Sequence, residues 1–188
     1  SIGSGSTIST WIHLPDGPPA WSKVYDFGNG PFASNMMLTF SSYEPRIVFV
    51  PDKTRPRGTA ASVYNIKRGQ WVHLVSVYGR DGTATLYVDG RKEASNKIGL
   101  IPVGARSRMY VGRSNWTDDP ELNASFDEFV VWKRALGGEE LKQMIGYTRG
   151  GGSVIEAITS GGVSVKTPIG GLTVRQAWEA YFLAEPDK

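Results

Sequence analysis

The sequence predicts an all-β protein: an antiparallel β-sandwich of the jelly-roll kind, followed by a short helix and a strand-plus-helix tail. Two observations carry that expectation. Short alternating or β-branched runs recur about every ten residues. Turn chemistry separates them, as in Gly28-Asn29-Gly30, Asp81-Gly82 and Asp89-Gly90. No strand–helix–strand rhythm interrupts the series, which argues against a parallel sheet. With 188 residues, 40% of them hydrophobic and 11% aromatic, the chain can bury one substantial core but not two large ones.

Residues 7–14 (T-I-S-T-W-I-H-L) open the series, with Ile8, Leu14 and one of Trp11 or Ile12 facing a core. Residues 21–27 (W-S-K-V-Y-D-F) follow and end at the glycine turn. Residues 36–40 and 46–50 form two more strands across a turn. Pro51, Pro56 and Gly58 then predict a loop. Residues 70–78 (Q-W-V-H-L-V-S-V-Y) are the strongest strand. Trp71, His73, Val75 and Val77 share one face, and Val72 and Leu74 the other. Apolar residues on both faces place this strand inside a sheet. Residues 83–88 (T-A-T-L-Y-V) answer as its hairpin partner, and 91–94 begin the return strand. Residues 108–112 and 126–132 complete the set, the last with Phe126, Phe129 and Val131 on its apolar side and Trp132 beside them. Residues 134–147 differ. Leu136, Leu141, Met144 and Ile145 fit one helical face, and Glu139-Glu140 suit the positive end of a helix dipole. This predicts a short helix packed on the sandwich end.

The chain divides into a sandwich over 1–149, a flexible Gly-Gly-Gly-Ser linker over 150–153, and a tail over 154–188. In the tail, residues 154–158 and 163–167 read as strands. Thr173-Val174-Arg175-Gln176 is a capping box that opens a helix over 174–184. Val174, Ala177, Trp178, Tyr181 and Phe182 form one stripe on it, suited to docking on a core. The expected docking residues are Val163, Val165, Trp178, Tyr181 and Phe182.

Composition narrows the chemistry. Cysteine is absent, which excludes disulfides, thiolate metal sites and cysteine nucleophiles. His13 and His73 are the two histidines, too few for a His-rich zinc site. No apolar run approaches the length of a membrane span, and no signal-peptide pattern is visible at the start. The net charge is +3, unevenly placed. Residues 46–68 hold Arg46, Lys53, Arg55, Arg57, Lys67 and Arg68 against Asp52 alone. That cluster reads as a solvated loop or, more pointedly, as a patch for acidic glycans or an acidic protein surface. It has no stacking aromatic series and no RRM, KH or zinc-finger signature, so nucleic acid is not an expected partner.

Seven pieces stand in a telling order: T-I-S-T-W-I-H-L (7–14), V-Y-D-F-G-N-G (24–30), M-M-L-T-F (36–40), G-Q-W-V-H-L-V-S-V-Y (69–78), T-A-T-L-Y-V-D-G (83–90), Y-V-G-R-S-N-W-T-D-D-P (110–120) and N-A-S-F-D-E-F-V-V-W-K-R-A-L (123–136). As an ordered set, residues 7–147 resemble a laminin-G-like jelly-roll domain of the concanavalin A-like lectin/glucanase superfamily. Domains of that family begin with a strand upstream of T-I-S-x-W, and here residues 1–6 alone precede it. G-V-S-V-K-T-P-I-G-G-L-T-V (162–174) looks like that opening stretch. The tail is therefore expected to supply the strand through its tether. The other reading is a plain extension of a complete domain.

Glucanases of this superfamily carry a clustered E-x-D-x(x)-E, because retaining hydrolysis needs two carboxylates about 5 Å apart. No such triplet occurs. Asp118-Asp119-Pro120-Glu121 lie in a loop, and Asp127-Glu128 are strand neighbours that point to opposite faces. The expectation is a protein that is not an enzyme. The resemblance implies Ca²⁺ as a cofactor, with Asp127 matching the aspartate of the closing strand and Asp118 and Asp119 beside it. The alternative is that Asp127 accepts backbone hydrogen bonds at the sandwich edge. For ligand binding the candidates are Trp116, Asn115 and Arg113 of R-S-N-W-T-D-D, with Trp21 and Tyr43 near loops. Aromatic faces stack on sugar rings while amides and guanidinium groups supply directional hydrogen bonds. Trp116 also fits a structural lid over the sandwich end. Trp11, Trp71 and Trp132 read as core residues, and His73 as a structural hydrogen-bonder. Asn115-Trp116-Thr117 and Asn123-Ala124-Ser125 are glycosylation triplets and lean towards an extracellular or cell-surface setting. The expected function is non-catalytic recognition or adhesion, with glycan or protein as partner, within a larger protein. The alternative is an assembly module whose tail (154–188) represents a partner or permuted segment.

Overall fold

A computed structural model describes residues 2–149, with side chains as far as Ile145. The linker and tail, with the docking residues Val163, Val165, Trp178, Tyr181 and Phe182, lie outside the described residues. The strands are β1 (Ser6–His13), β2 (Lys23–Gly28), β3 (Asn35–Ser41), β4 (Glu44–Val50), β5 (Gly58–Ala61), β6 (Trp71–Tyr78), β7 (Thr83–Val88), β8 (Arg91–Lys97), β9 (Arg108–Val111) and β10 (Ser125–Trp132). One helix, α1 (Gly138–Arg149), follows them. The strands stack as two antiparallel five-stranded sheets, ordered β10-β1-β6-β7-β8 and β5-β4-β3-β2-β9. The expected sandwich is the fold that forms.

Alternation along the strands fills the space between the sheets. Ile8 and Ile12 of β1 meet Tyr25 and Phe27 of β2 and Leu38 of β3 there, all essentially without solvent contact. On β6, Val72 and Leu74 point into this core, while Val75 and Val77 point to the other face. His73 lies on that second face, its Nε2 2.7 Å from Ser9 Oγ and its ring centroid 4.9 Å from that of Trp11. That bond fits the structural role expected of it.

Three expectations are corrected. Residues 58–61 form β5 rather than loop, pairing with Arg46 to Phe49 of β4. Gly-Thr-Ala-Ala carries little strand propensity of its own, so tertiary pairing decides. A Cβ on Gly58 would overlap the Ile98 backbone, and Asn96 Nδ2 donates to Thr59 O at 2.8 Å. These contacts seal one side of the sandwich between β5 and β8. Second, α1 packs on the outer face of the first sheet, not on its end. Leu141, Met144 and the preceding Leu136 cover Val75, Trp132 and Val130. Gly137 N donates to Glu140 Oε2 at 2.8 Å, capping the helix, and Arg134 pairs with Glu140 at 2.6 Å. Third, Trp71 is 48% exposed at the mouth of β6, beside His13, and is not a core residue.

The side opposite the sealed seam is less closed. Met109 and Val111 of β9, with Phe126 and Phe129 of β10, are only partly buried against the core. Between β7 and β8 the turn takes φ 47° at Asp89 and 81° at Gly90, the double positive φ that a two-residue hairpin asks for.

Candidate functional site

The outer face of the second sheet carries a surface built in rows. Register puts Arg46, Thr39 and Lys23 in one row, and Val48, Met37, Asp26 and Tyr110 in the next. Three loops border this face, at residues 17–22, 29–34 and 112–122.

The longest loop is fixed from below by two charges of β2. Asp26 is fully buried. It accepts from Asn115 N at 2.7 Å and from Asn35 Nδ2 at 2.9 Å. Burial pushes its carboxyl above the ordinary value, against the pull of the Asn115 and Asn35 hydrogen bonds and of Lys23. Lys23 is 1% exposed and donates to Asp119 Oδ2 at 2.8 Å and to the Trp21 carbonyl. Ser114 Oγ donates to the same Asp119 oxygen at 2.7 Å, and Trp116 N donates to Ser114 Oγ at 3.1 Å. Both buried charges of β2 thus have partners, as a region of low dielectric demands.

Aromatic side chains stand on this base. Trp116, half-buried, packs on Met37, Val48 and Val50. Its ring meets that of Phe32 edge-on, centroids 5.3 Å apart. Phe32 is 42% exposed and Trp21 37%. Both sit at positive φ, 55° and 67°, a region that bulky residues avoid. Hydrogen bonds hold them there: Trp21 N to Phe40 O at 2.9 Å, Ser22 Oγ to Pro19 O at 2.7 Å, Asn29 N to Ala33 O at 3.0 Å and Ser34 N to Pro51 O at 2.9 Å. Exposed aromatics kept in a costly backbone conformation point to a task other than packing.

Of the sequence candidates, the structure brings Trp116 and Trp21 to this face. Asn115 lies beneath it at 6% exposure, its Nδ2 donating to the Asp26 and Arg108 carbonyls, and it holds the loop. Arg113 is exposed, 5.4 Å from the Tyr110 ring and 3.9 Å from Glu121. Tyr43, in the β3–β4 turn, sets its hydroxyl against Gly17, and its carbonyl accepts from Ile66 N. Phe32 escaped the sequence reading; its signal was a bare aromatic in a Gly-Pro turn. Lys23 and Asp26 gave no signal, since a charge in a strand ordinarily faces water.

The three carboxylates named for calcium do not fit a cation cage. Asp119 is occupied by the Lys23 ammonium, and Asp127 Oδ1 accepts from the backbone N of Glu128 at 2.8 Å. Asp118 stands exposed beside Thr117. Among the described residues no three His, Asp or Glu side chains gather as a metal site.

Residues 1–142 match the family model Laminin_G_3, described as the concanavalin A-like lectin/glucanases superfamily. The chain belongs to that superfamily. Solved structures share the fold at low identity. Domain 4 of an extracellular GH43 arabinanase from Geobacillus stearothermophilus, in complex with arabinotriose, aligns at TM-score 0.61 and 18% identity over 75% of this chain and 66% of that one. A putative carbohydrate binding protein from Bacteroides ovatus gives 0.58 and 15%, over 76% and 41%. Trypanosoma rangeli sialidase in complex with sialic acid gives 0.59 and 16%, covering 79% of this chain but 24% of the enzyme. The chain thus spans less than two thirds of each. No curated protein matches it.

Proposed function

We propose that this domain is a non-catalytic carbohydrate-binding module of an extracellular or cell-surface protein. On this reading the glycan lies across the outer face of the second sheet, against Trp116, Phe32 and Trp21. The observation that carries it is the set of three partly exposed aromatics around one sheet face, two of them at positive φ. Aromatic rings offer apolar faces to the C–H side of a sugar, and loop amides and hydroxyls would set its orientation. The arabinotriose complex of the arabinanase domain and the carbohydrate-binding neighbour support the same reading. The absence of catalysis is part of the proposal: Asp26 and Asp119, the carboxylates beneath this face, are committed to holding the loop.

Calorimetric titration with oligosaccharides chosen from a glycan array tests it. Trp116→Ala and Phe32→Ala are each expected to weaken binding by about tenfold, the value of a lost stacking contact. A wild-type chain that retains no glycan, or variants that bind undiminished, would overturn it.

The half-buried β9–β10 side favours a second reading, an assembly role in which an added strand covers Met109, Val111, Phe126 and Phe129. The tail sequence at 162–174 is its proposed source.

A further inference from the structure

The geometry points to an oxyanion-binding site where Arg46 and Arg57 meet Trp21, so that the preferred glycan is an acidic one, bearing carboxylate or sulfate groups. This deepens the carbohydrate-binding reading and rests on it. The Arg57 Cζ lies 5.1 Å from the Trp21 ring centroid and the Arg46 Cζ 5.9 Å from it. The Lys23 ammonium is 5.6 Å from the same ring. Lys23 has its carboxylate, Asp119. Arg46 and Arg57 have none within ion-pair distance among the described residues.

Arg68, Arg80 and Arg108 also have no ion pair among the described residues, so what sets Arg46 and Arg57 apart is the single aromatic ring they share. Arg55 pairs with Asp52 at 2.6 Å, Lys97 with Asp81 at 2.5 Å, Arg134 with Glu140 at 2.6 Å and Lys142 with Glu139 at 2.7 Å. Two guanidinium groups without carboxylate partners at one aromatic ring raise the local positive potential, and an oxyanion within reach of either lowers it. Contact with the ring satisfies the positive charge in part but uses none of the N–H donors. Those donors form a planar fork matched to carboxylate and sulfate oxygens. Arg46 Nε is moreover buried with no hydrogen-bond partner among the described residues. A buried donor in that condition calls for an acceptor.

An open groove adjoins the site. Arg57 also lines a groove of about 410 Å³, with Pro56, Arg55, Lys97 and Leu100. Asp52 and Asp81 already neutralise Arg55 and Lys97, so discrimination for charge falls on Arg46 and Arg57. The arrangement fits an acid group held at Trp21 with a neighbouring unit at the groove, the two joined through Arg57.

The test compares the full chain's affinity for polygalacturonate, a sulfated dextran, their uncharged counterparts and a poly-glutamate peptide, at low and high salt. At least one acidic glycan is expected to bind about tenfold tighter than its neutral counterpart, with the advantage falling as salt rises. Whether uronate or sulfate gives the advantage identifies the acid group. Arg46→Gln and Arg57→Gln are each expected to abolish the advantage, while Lys142→Gln, on the helix beyond the other sheet, keeps it. Arg57 is exposed, so its variant remains informative should the half-buried Arg46 prove needed for folding. Equal affinity for acidic and neutral glycans overturns this inference and leaves the carbohydrate-binding reading standing. An acidic advantage that survives both substitutions, or poly-glutamate binding as tightly as the acidic glycans, also overturns it. Acidic binding that needs Arg46 and Arg57 but ignores Trp116→Ala supports this inference and overturns the placement of the glycan against Trp116.

Discussion

Lys23 and Asp26 stand on one strand, and both take a charge out of water. The partner of Lys23 is Asp119, and removing the ammonium leaves that carboxylate and the Trp21 carbonyl without their donor while emptying a buried position. Lys23→Met should therefore cost about 3 kcal/mol in urea denaturation, well beyond what an exposed lysine contributes. Asp26 adds a pH dependence. Its carboxyl is held above the ordinary range by burial, so the folded state binds the proton more tightly than the unfolded state does. That contribution is full below the unfolded value and is lost as pH rises through the folded one. The stability advantage of the wild type over Asp26→Asn should accordingly be largest in acid and shrink as pH climbs past the carboxylate range. Asp52 and Asp81 act in the opposite sense. Thr54 hydrogen bonds hold the first low and Lys97 the second, so their contributions are lost as pH falls. Both are exposed, and salt should screen them. The two glycosylation triplets separate at this scale too. Asn115 has its amide engaged under the loop, whereas Asn123 is exposed. Folded protein secreted from a eukaryotic host should carry its glycan on Asn123 and none on Asn115, as peptide mass spectrometry would read it.

Most strands were legible from the chain because the pattern that names them is the pattern that packs them. In β6 the alternation of Val72 and Leu74 against Val75 and Val77 is divided between two cores in the structure. The missed β5 has no such signature; it exists because β4 offers an edge and Gly58 lets the Ile98 backbone come close. Gly58→Val should unseat this seam and lower the melting temperature, with a loss of about 1–3 kcal/mol from overpacking. Helix α1 was legible as an amphipathic stripe, but its seat was not, since a stripe does not name the surface that it covers. With Met144 fully buried against Trp132 and Leu136, Met144→Ala should cost about 2–5 kcal/mol by chemical denaturation, as in a core. A helix docked loosely at an end would lose far less. The aromatic part of the candidate face was half legible. Trp21 and Trp116 are conspicuous residues in loops, while Phe32 and the base formed by Lys23, Asp26 and Asn35 draw on distant segments that meet only in the folded chain.

The whole molecule is a body with unequal sides. β5 and β8 are stitched together, whereas β9 and β10 leave core side chains partly wet. If the segment at 162–174 covers that open side, backbone amides of β10 should exchange hydrogen more slowly in the full chain than in one ended at Arg149. Identical exchange in the two would remove the strand-donation reading and leave the aromatic face untouched. The other unequal feature is the 112–122 loop, mortared to β2 by Asp26 and Lys23. Buried ties of this kind set the surface as a tile rather than a flap. A guest must match it as it stands, so changes in the guest's fit should lengthen or shorten its stay far more than they alter how often it arrives.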